Sequence, residues 1–162
     1  MRIVQCSYCR KIMPPTNCYQ FTYNKRRRYF CSREEAEKYV HQVFYYERIK
    51  YSIGLITGLR GDTLLKRFLK KWMITSDFEK IDCYLTENRD RLMELINEKG
   101  ITASNSRLSY LNACIENEMK TYEPPKRNLD QQLIEFYKAK NIKLPRKKTI
   151  AEYESEFEDD DK

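Results

Sequence analysis

Glycine and proline are scarce, at four and five residues in 162, and histidine and tryptophan occur once each. So little glycine argues against a Gly-rich cofactor fold and against a fibrous chain. A run of about 18 apolar residues, the least a spanning helix needs, is missing. Cys6 follows Met1 so closely that no apolar leader fits before it, and an intracellular location is expected. A single histidine, His41, restricts imidazole catalysis to one residue. A Walker glycine loop, a metalloprotease H-E-x-x-H and a deaminase H-x-E with its cysteine pair are all absent. The sequence therefore points away from an enzyme, and no small-molecule substrate is expected.

The residues that are present favour a folded protein. Hydrophobic residues make up 41% and charged residues 34%, with 31 Lys plus Arg against 24 Asp plus Glu and a formal net charge of +7. That is enough apolar content for a core. The charge is unevenly spread. Residues 151–162 carry seven acids and one lysine, so the preceding 150 residues hold +13. Residues 1–31 contain no acid at all. The reading is a mostly α chain in three parts: a small zinc-binding finger over 1–45 that runs into a helix, a helical domain over 46–150, and a disordered acidic tail over 151–162.

Four of the six cysteines, Cys6, Cys9, Cys18 and Cys31, fall in the first 31 residues, spaced C-x2-C-x8-C-x12-C. Clustered cysteines in a reducing compartment point to metal. Cys6 and Cys9 are spaced for a knuckle that aims two thiolates at one Zn2+, and two more ligands must arrive from a distance. Cys31, at the end of a short strand and just before a helix start, is well placed for the third. Cys18 is favoured as the fourth because thiolate suits zinc, with Glu35 and His41 as weaker candidates. Ser32-Arg33-Glu34-Glu35 reads as a capping box, which would engage the Glu35 carboxylate at the helix start. Cys83 and Cys114 stand alone in apolar-periodic segments and are expected as core filler.

Cys6-Ser7-Tyr8-Cys9-Arg10-Lys11-Ile12, followed by Tyr29-Phe30-Cys31-Ser32, resembles the treble-clef fingers of the TRASH, MYM and L24e type. It is also similar to the finger of poxvirus-type late transcription factors. The likeness covers about residues 4–45. It implies a knuckle, a hairpin and a ligand pair at a helix start, and a nucleic-acid or protein partner. Cys6, Cys9 and Cys31 fall on three of the family's four ligand positions. The fourth falls on Glu35, where the family has cysteine.

Alternation in Tyr19-Gln20-Phe21-Thr22-Tyr23 predicts a strand, with Tyr29-Phe30 on the returning strand and a tip at Asn24. The tetrad Lys25, Arg26, Arg27 and Arg28 is then a basic tip suited to phosphate. Apolar periodicity predicts a helix from Arg33 to about Leu59 and a second from Thr63 with a basic face. A third starts near a Ser76 cap and stops at Gly100. Its charged run, 87–91, marks either a break or a wet face. Further helices are expected from Ser104 and after an Asn128 cap. The leading expectation is a non-enzymatic nucleic-acid-binding accessory factor in transcription or a nucleoprotein complex. The alternative is a structural adaptor in a large assembly, such as a viral capsid, a polymerase or a ribosome-like particle. A membrane partner is not expected. Thirteen tyrosines and abundant Lys and Ile match AT-rich coding genomes such as those of large DNA viruses. That composition adds the virion and the host cytoplasm to the nucleus as expected locations.

Overall fold

The computed structural model describes residues 2–74 and 76–144. The expected tail, 151–162, and the basic cluster at Arg146, Lys147 and Lys148 lie outside the described residues. The chain divides into two compact units, one built on Met1–Tyr39 with the segment that begins at Ile134, the other on Val40–Leu133. No helix among the described residues is long and apolar enough to cross a membrane.

The first unit starts with two short antiparallel strands, β1 (Val4–Gln5) and β2 (Ile12–Met13), and a 3-10 turn over Pro15–Asn17. A hairpin follows, β3 (Tyr19–Tyr23) with β4 (Arg26–Phe30). Tyr23 pairs with Arg26, so the loop is the two residues Asn24 and Lys25, at φ 49° and 60°. Two consecutive left-handed residues match the twist of the flanking strands in a type I′ turn. Period-two alternation sends Phe21, Tyr23 and Phe30 into a small core with Cys6 and Ala36. The rings of Phe21 and Phe30 stack with centroids 5.1 Å apart, and Tyr39 tilts against Phe30 at 5.3 Å.

Helix α1 (Arg33–Thr57) contributes its first residues to this unit and the rest to the second. Ser32 Oγ accepts the Glu35 N–H at 3.3 Å and starts the helix. Gly58, at φ 74°, and its N–H to the Gly54 carbonyl end it as a C-terminal stop.

The second unit holds α2 (Thr63–Trp72), α3 (Phe78–Glu98) and α4 (Ser104–Glu118), and α5 (Asp130–Ala139) begins in it. Ile49, Ile53 and Ile56 of α1 meet Leu65, Leu69 and Trp72 of α2 in one core, with Tyr84, Leu92 and Ile96 of α3 and Leu108, Leu111 and Ile115 of α4. The spacing by three and four residues is what brings each set to one face. Cys83 is buried and Cys114 packs at the core edge, as their place beside apolar stripes suggested.

One local reading needs correction, and one of two alternatives is decided. Asp77, not Ser76, caps α3: its carboxylate accepts the Lys80 N–H at 2.7 Å. The charged run 87–91 does not break α3, which continues to Glu98, because Arg91 reaches Glu118 on α4 and holds the run as a polar helix face. At the far end Gly100 is left-handed at φ 67°, the stop its place predicted. Asn128 Oδ1 accepts the Asp130 N–H at 2.9 Å, and α5 follows.

One polar cluster lies inside the second unit. The Asp82 carboxylate is fully buried on α3. Arg48 Nε donates to both its oxygens, at 3.2 and 3.1 Å, and Arg127 Nη2 donates to Oδ2 at 3.0 Å. Arg48 Nη1 also donates to Gln132 at 2.6 Å. A buried carboxylate needs this level of satisfaction to remain charged in an apolar surround.

Candidate metal centre

The knuckle is built by its own backbone. Cys6 N–H donates to the Lys11 carbonyl at 2.8 Å and Arg10 N–H to the Cys6 carbonyl at 3.1 Å. Arg10 turns left-handed at φ 69°, which reverses the chain within the loop. The Tyr8 and Cys9 N–H groups both point at Cys6 Sγ, each at 3.4 Å. Ser7 N–H donates to the Tyr29 carbonyl at 2.7 Å and ties the knuckle to β4, whose next residues are Phe30 and Cys31.

Four side chains converge there. Sulfurs of Cys6, Cys9 and Cys31 and a carboxylate oxygen of Glu35 all lie within 4.8 Å of one another. Cys6 Sγ donates to Glu35 Oε2 at 3.0 Å, and Cys9 and Cys31 sulfurs are 3.4 Å apart. Cys31 N–H donates to the same Glu35 oxygen at 3.3 Å. Two ligands about 2.3 Å from a common ion at the tetrahedral angle stand ~3.8 Å apart, so small rotamer adjustments close the group on one cation. Cys6 is fully buried, Cys31 and Glu35 half-buried, and Cys9 exposed.

Cys18 is not in this group. It leaves the Pro15–Asn17 turn and donates its thiol to the Pro15 carbonyl at 2.9 Å. Burial pushes the Cys18 thiol up. His41, the other alternative, is exposed on α1 outside the group. The capping box explains why Glu35 is free to join. Ser32 Oγ takes the backbone N–H of Glu35, while its carboxylate turns to Cys6 and to the Cys31 N–H. Cap and cluster use different atoms of one residue, so they do not compete.

Electrostatics favour a cation at the centre. Burial, the Cys9 and Cys6 sulfurs and the Glu35 carboxylate push the Cys31 thiol up to about 12. The Cys6 thiol beside Glu35 holds its carboxyl below the usual carboxylate range. Four acid-type groups in so small a volume resist joint ionisation, and a divalent ion among them removes that resistance. Three thiols and one carboxylate form a soft, closed donor set, suited to a structural ion and unlike the all-oxygen shells of magnesium or calcium. The chain thus carries a small cluster of three cysteines and one glutamate, of structural metal-binding type, on a helical protein.

Strand alternation puts Arg26 and Arg28, opposite Tyr23 and Phe21, on one face of the hairpin and Arg27, opposite Thr22, on the other, so it is nearness to the turn that divides the basic tetrad. Lys25, Arg26 and Arg27 are exposed at and beside the turn. Arg28 pairs with Phe21 across the hairpin and lies on the core-facing side. Its guanidinium sits 6.0 Å from the Tyr39 ring centroid, a cation–π contact that braces the finger on α1. The period of the strand already assigns Arg28 to that face, whereas a continuous run of four bases conceals it.

No protein-family model matches the chain, and no curated protein or solved structure matches it either.

Proposed function

We propose that this protein is a non-enzymatic zinc-finger factor that binds nucleic acid through the exposed tip of the β3–β4 hairpin. The observation that carries the reading is the tip itself. Lys25 holds the second left-handed position of a type I′ turn, where glycine fits without strain. A lysine there costs about 1 kcal/mol, yet it puts a third cation beside Arg26 and Arg27 at the outermost point of the finger. The absence of any acid in residues 1–31 leaves those charges unopposed along the local sequence.

Zinc is the ion proposed for Cys6, Cys9, Cys31 and Glu35. The ion's role is to fasten the knuckle to the start of α1, so that the hairpin between them projects at a fixed angle. The resemblance to treble-clef fingers supports this assignment, because Glu35 stands at the position where those fingers carry their fourth ligand. Elemental analysis of the purified protein should find one zinc per chain, unchanged in Cys18→Ser. Loss of zinc in that variant would return Cys18 to the ligand set.

The binding test is a salt titration of the zinc-loaded full chain on random-sequence DNA and RNA. Joint replacement of Lys25, Arg26 and Arg27 by alanine should weaken binding on every sequence. It should also flatten the log–log salt slope by about 2 to 3, close to one for each phosphate no longer neutralised. Wild-type protein with no affinity for nucleic acid at low salt would transfer the finger to protein contacts, as an adaptor in a larger assembly.

A further inference from the structure

The second unit carries a groove that neither its own core nor the metal cluster uses. It lies between the end of α2 and the last turns of α4, with a volume of about 420 Å³. Trp72, Ile115 and Met119 form its floor, and Ile74, Lys71 and Lys120 stand around it. Pockets of this size hold one or two large side chains. The Trp72 indole N–H is already satisfied by Asn112 Oδ1 at 2.8 Å, so the floor makes no demand for a polar ligand group through it.

Two features of the rim point to what fills it. Ile74 is 82% exposed beside an apolar floor, an arrangement that marks an interaction site more often than a bare surface. The polar part of the lining is Lys71, Glu116, Asn117 and Lys120, and the helix on one side of it is strongly basic. Helix α2 reads TLLKRFLKKW, with four cations and no acid, and Lys66, Arg67, Lys70 and Lys71 are all exposed. Lys120 faces the groove from the end of α4. The one acid in the lining, Glu116, is paired with Lys71 and adds no net charge to the rim.

We propose that this groove receives an acidic peptide segment of a partner protein, anchored by one aromatic side chain. The apolar floor takes the ring, with the Met119 thioether available to its edge. Carboxylates on either side meet Lys71 and Lys120, the two cations of the lining. A phosphate backbone would match the cations but leave the floor and Ile74 uncovered, so the combination favours a peptide. The site stands in the second unit and is independent of the nucleic-acid reading of the finger.

Trp72 is the only tryptophan in the chain, so tryptophan emission is read at the floor of this groove and the core beneath it. The experiment titrates the zinc-loaded full chain with an acetylated dodecapeptide of glutamates around a central phenylalanine. A saturable change in Trp72 emission is expected. It should weaken about tenfold or more when the peptide phenylalanine becomes alanine, and about tenfold in Lys120→Glu. Ile74→Ser, another exposed position that should fold normally, should weaken it as well. Three results overturn the proposal. One is no change at millimolar peptide. Another is the same change with single-stranded oligonucleotide, which makes the groove a nucleic-acid site. The third is an emission shift in Tyr153→Ala with Phe157→Ala before any peptide is added, which makes residues 151–162 of this chain the occupant.

Discussion

Replacing Cys31 by serine should abolish metal binding at the cluster and unfold the hairpin around it. Metal content should fall from one ion per chain to near zero. Amide protection in β3, β4 and the first turn of α1 should disappear. The finger has little else to hold it. Its core is Cys6, Phe21, Tyr23, Phe30 and Ala36, and two-stranded sheets of this size are marginal in water. Structural zinc contributes about 10–16 kcal/mol to folding in small fingers, far more than such a core supplies. Cys31 lies on the short link between β4 and α1, so its sulfur ties that link to the knuckle at Cys9. The core of residues 40–133 has its own apolar cluster, and the Trp72 emission of that core should stay native. Retention of one tightly bound zinc in Cys31→Ser would overturn the ligand assignment. Glu35→Cys should act in the opposite direction. It keeps the ion and binds it more tightly, since thiolate suits zinc better than a carboxylate oxygen. A chelator competition comparing the two variants with wild type measures both effects.

Much of the finger was legible because its physics is local. The C-x2-C spacing dictates a knuckle, and alternation from Tyr19 to Tyr23 dictates a strand. The turn was less legible: the basic run reads as a tip from Asn24 through Arg28, whereas the pairing of Tyr23 with Arg26 leaves only Asn24 and Lys25 in the turn and puts Arg26, Arg27 and Arg28 in β4. The helices follow from apolar periodicity as the strand does from alternation, and Gly100 and Asn128 mark an end and a start through backbone chemistry that a sequence displays. The choice between Cys18 and Glu35 was not local. It depends on where the Pro15–Asn17 turn points the Cys18 thiol, and on Ser32 capping the Glu35 N–H and not its carboxylate. Chemical preference alone, thiolate over carboxylate, favoured the residue that the backbone carries away. Arg28 shows the same limit from the other side. Its charge suggests solvent, while its register against Phe21 and the ring of Tyr39 place it on the structural face. The Asp82 cluster had no sequence signal, because Arg48 and Arg127 are 79 residues apart in the chain and meet only in the fold.

That cluster makes the second large prediction. Asp82→Ala should destabilise residues 40–133 by about 3 to 5 kcal/mol, the usual cost of removing one member of a buried charge group. The loss comes less from the ion pairs than from what remains. Arg48 and Arg127 would keep their charges beside an apolar interior, with no acceptor for the Nε and Nη2 protons that Asp82 now takes. Their side chains retain 25% and 17% exposure, so each guanidinium has a path toward water, and the lower end of the range is expected. Denaturant unfolding followed by Trp72 emission measures it. Replacing Arg48 and Arg127 by methionine in the Asp82→Leu background should recover most of the loss, because the charges and the demand for an acceptor disappear together. A cost below about 1 kcal/mol for Asp82→Ala would mean that water already screens the cluster. Failure of the triple variant to recover would mean that the hydrogen bonds of Arg48 to Gln132, which joins α1 to α5, and of Arg127 to the Glu79 carbonyl, which joins the loop before α5 to α3, matter more than the charges.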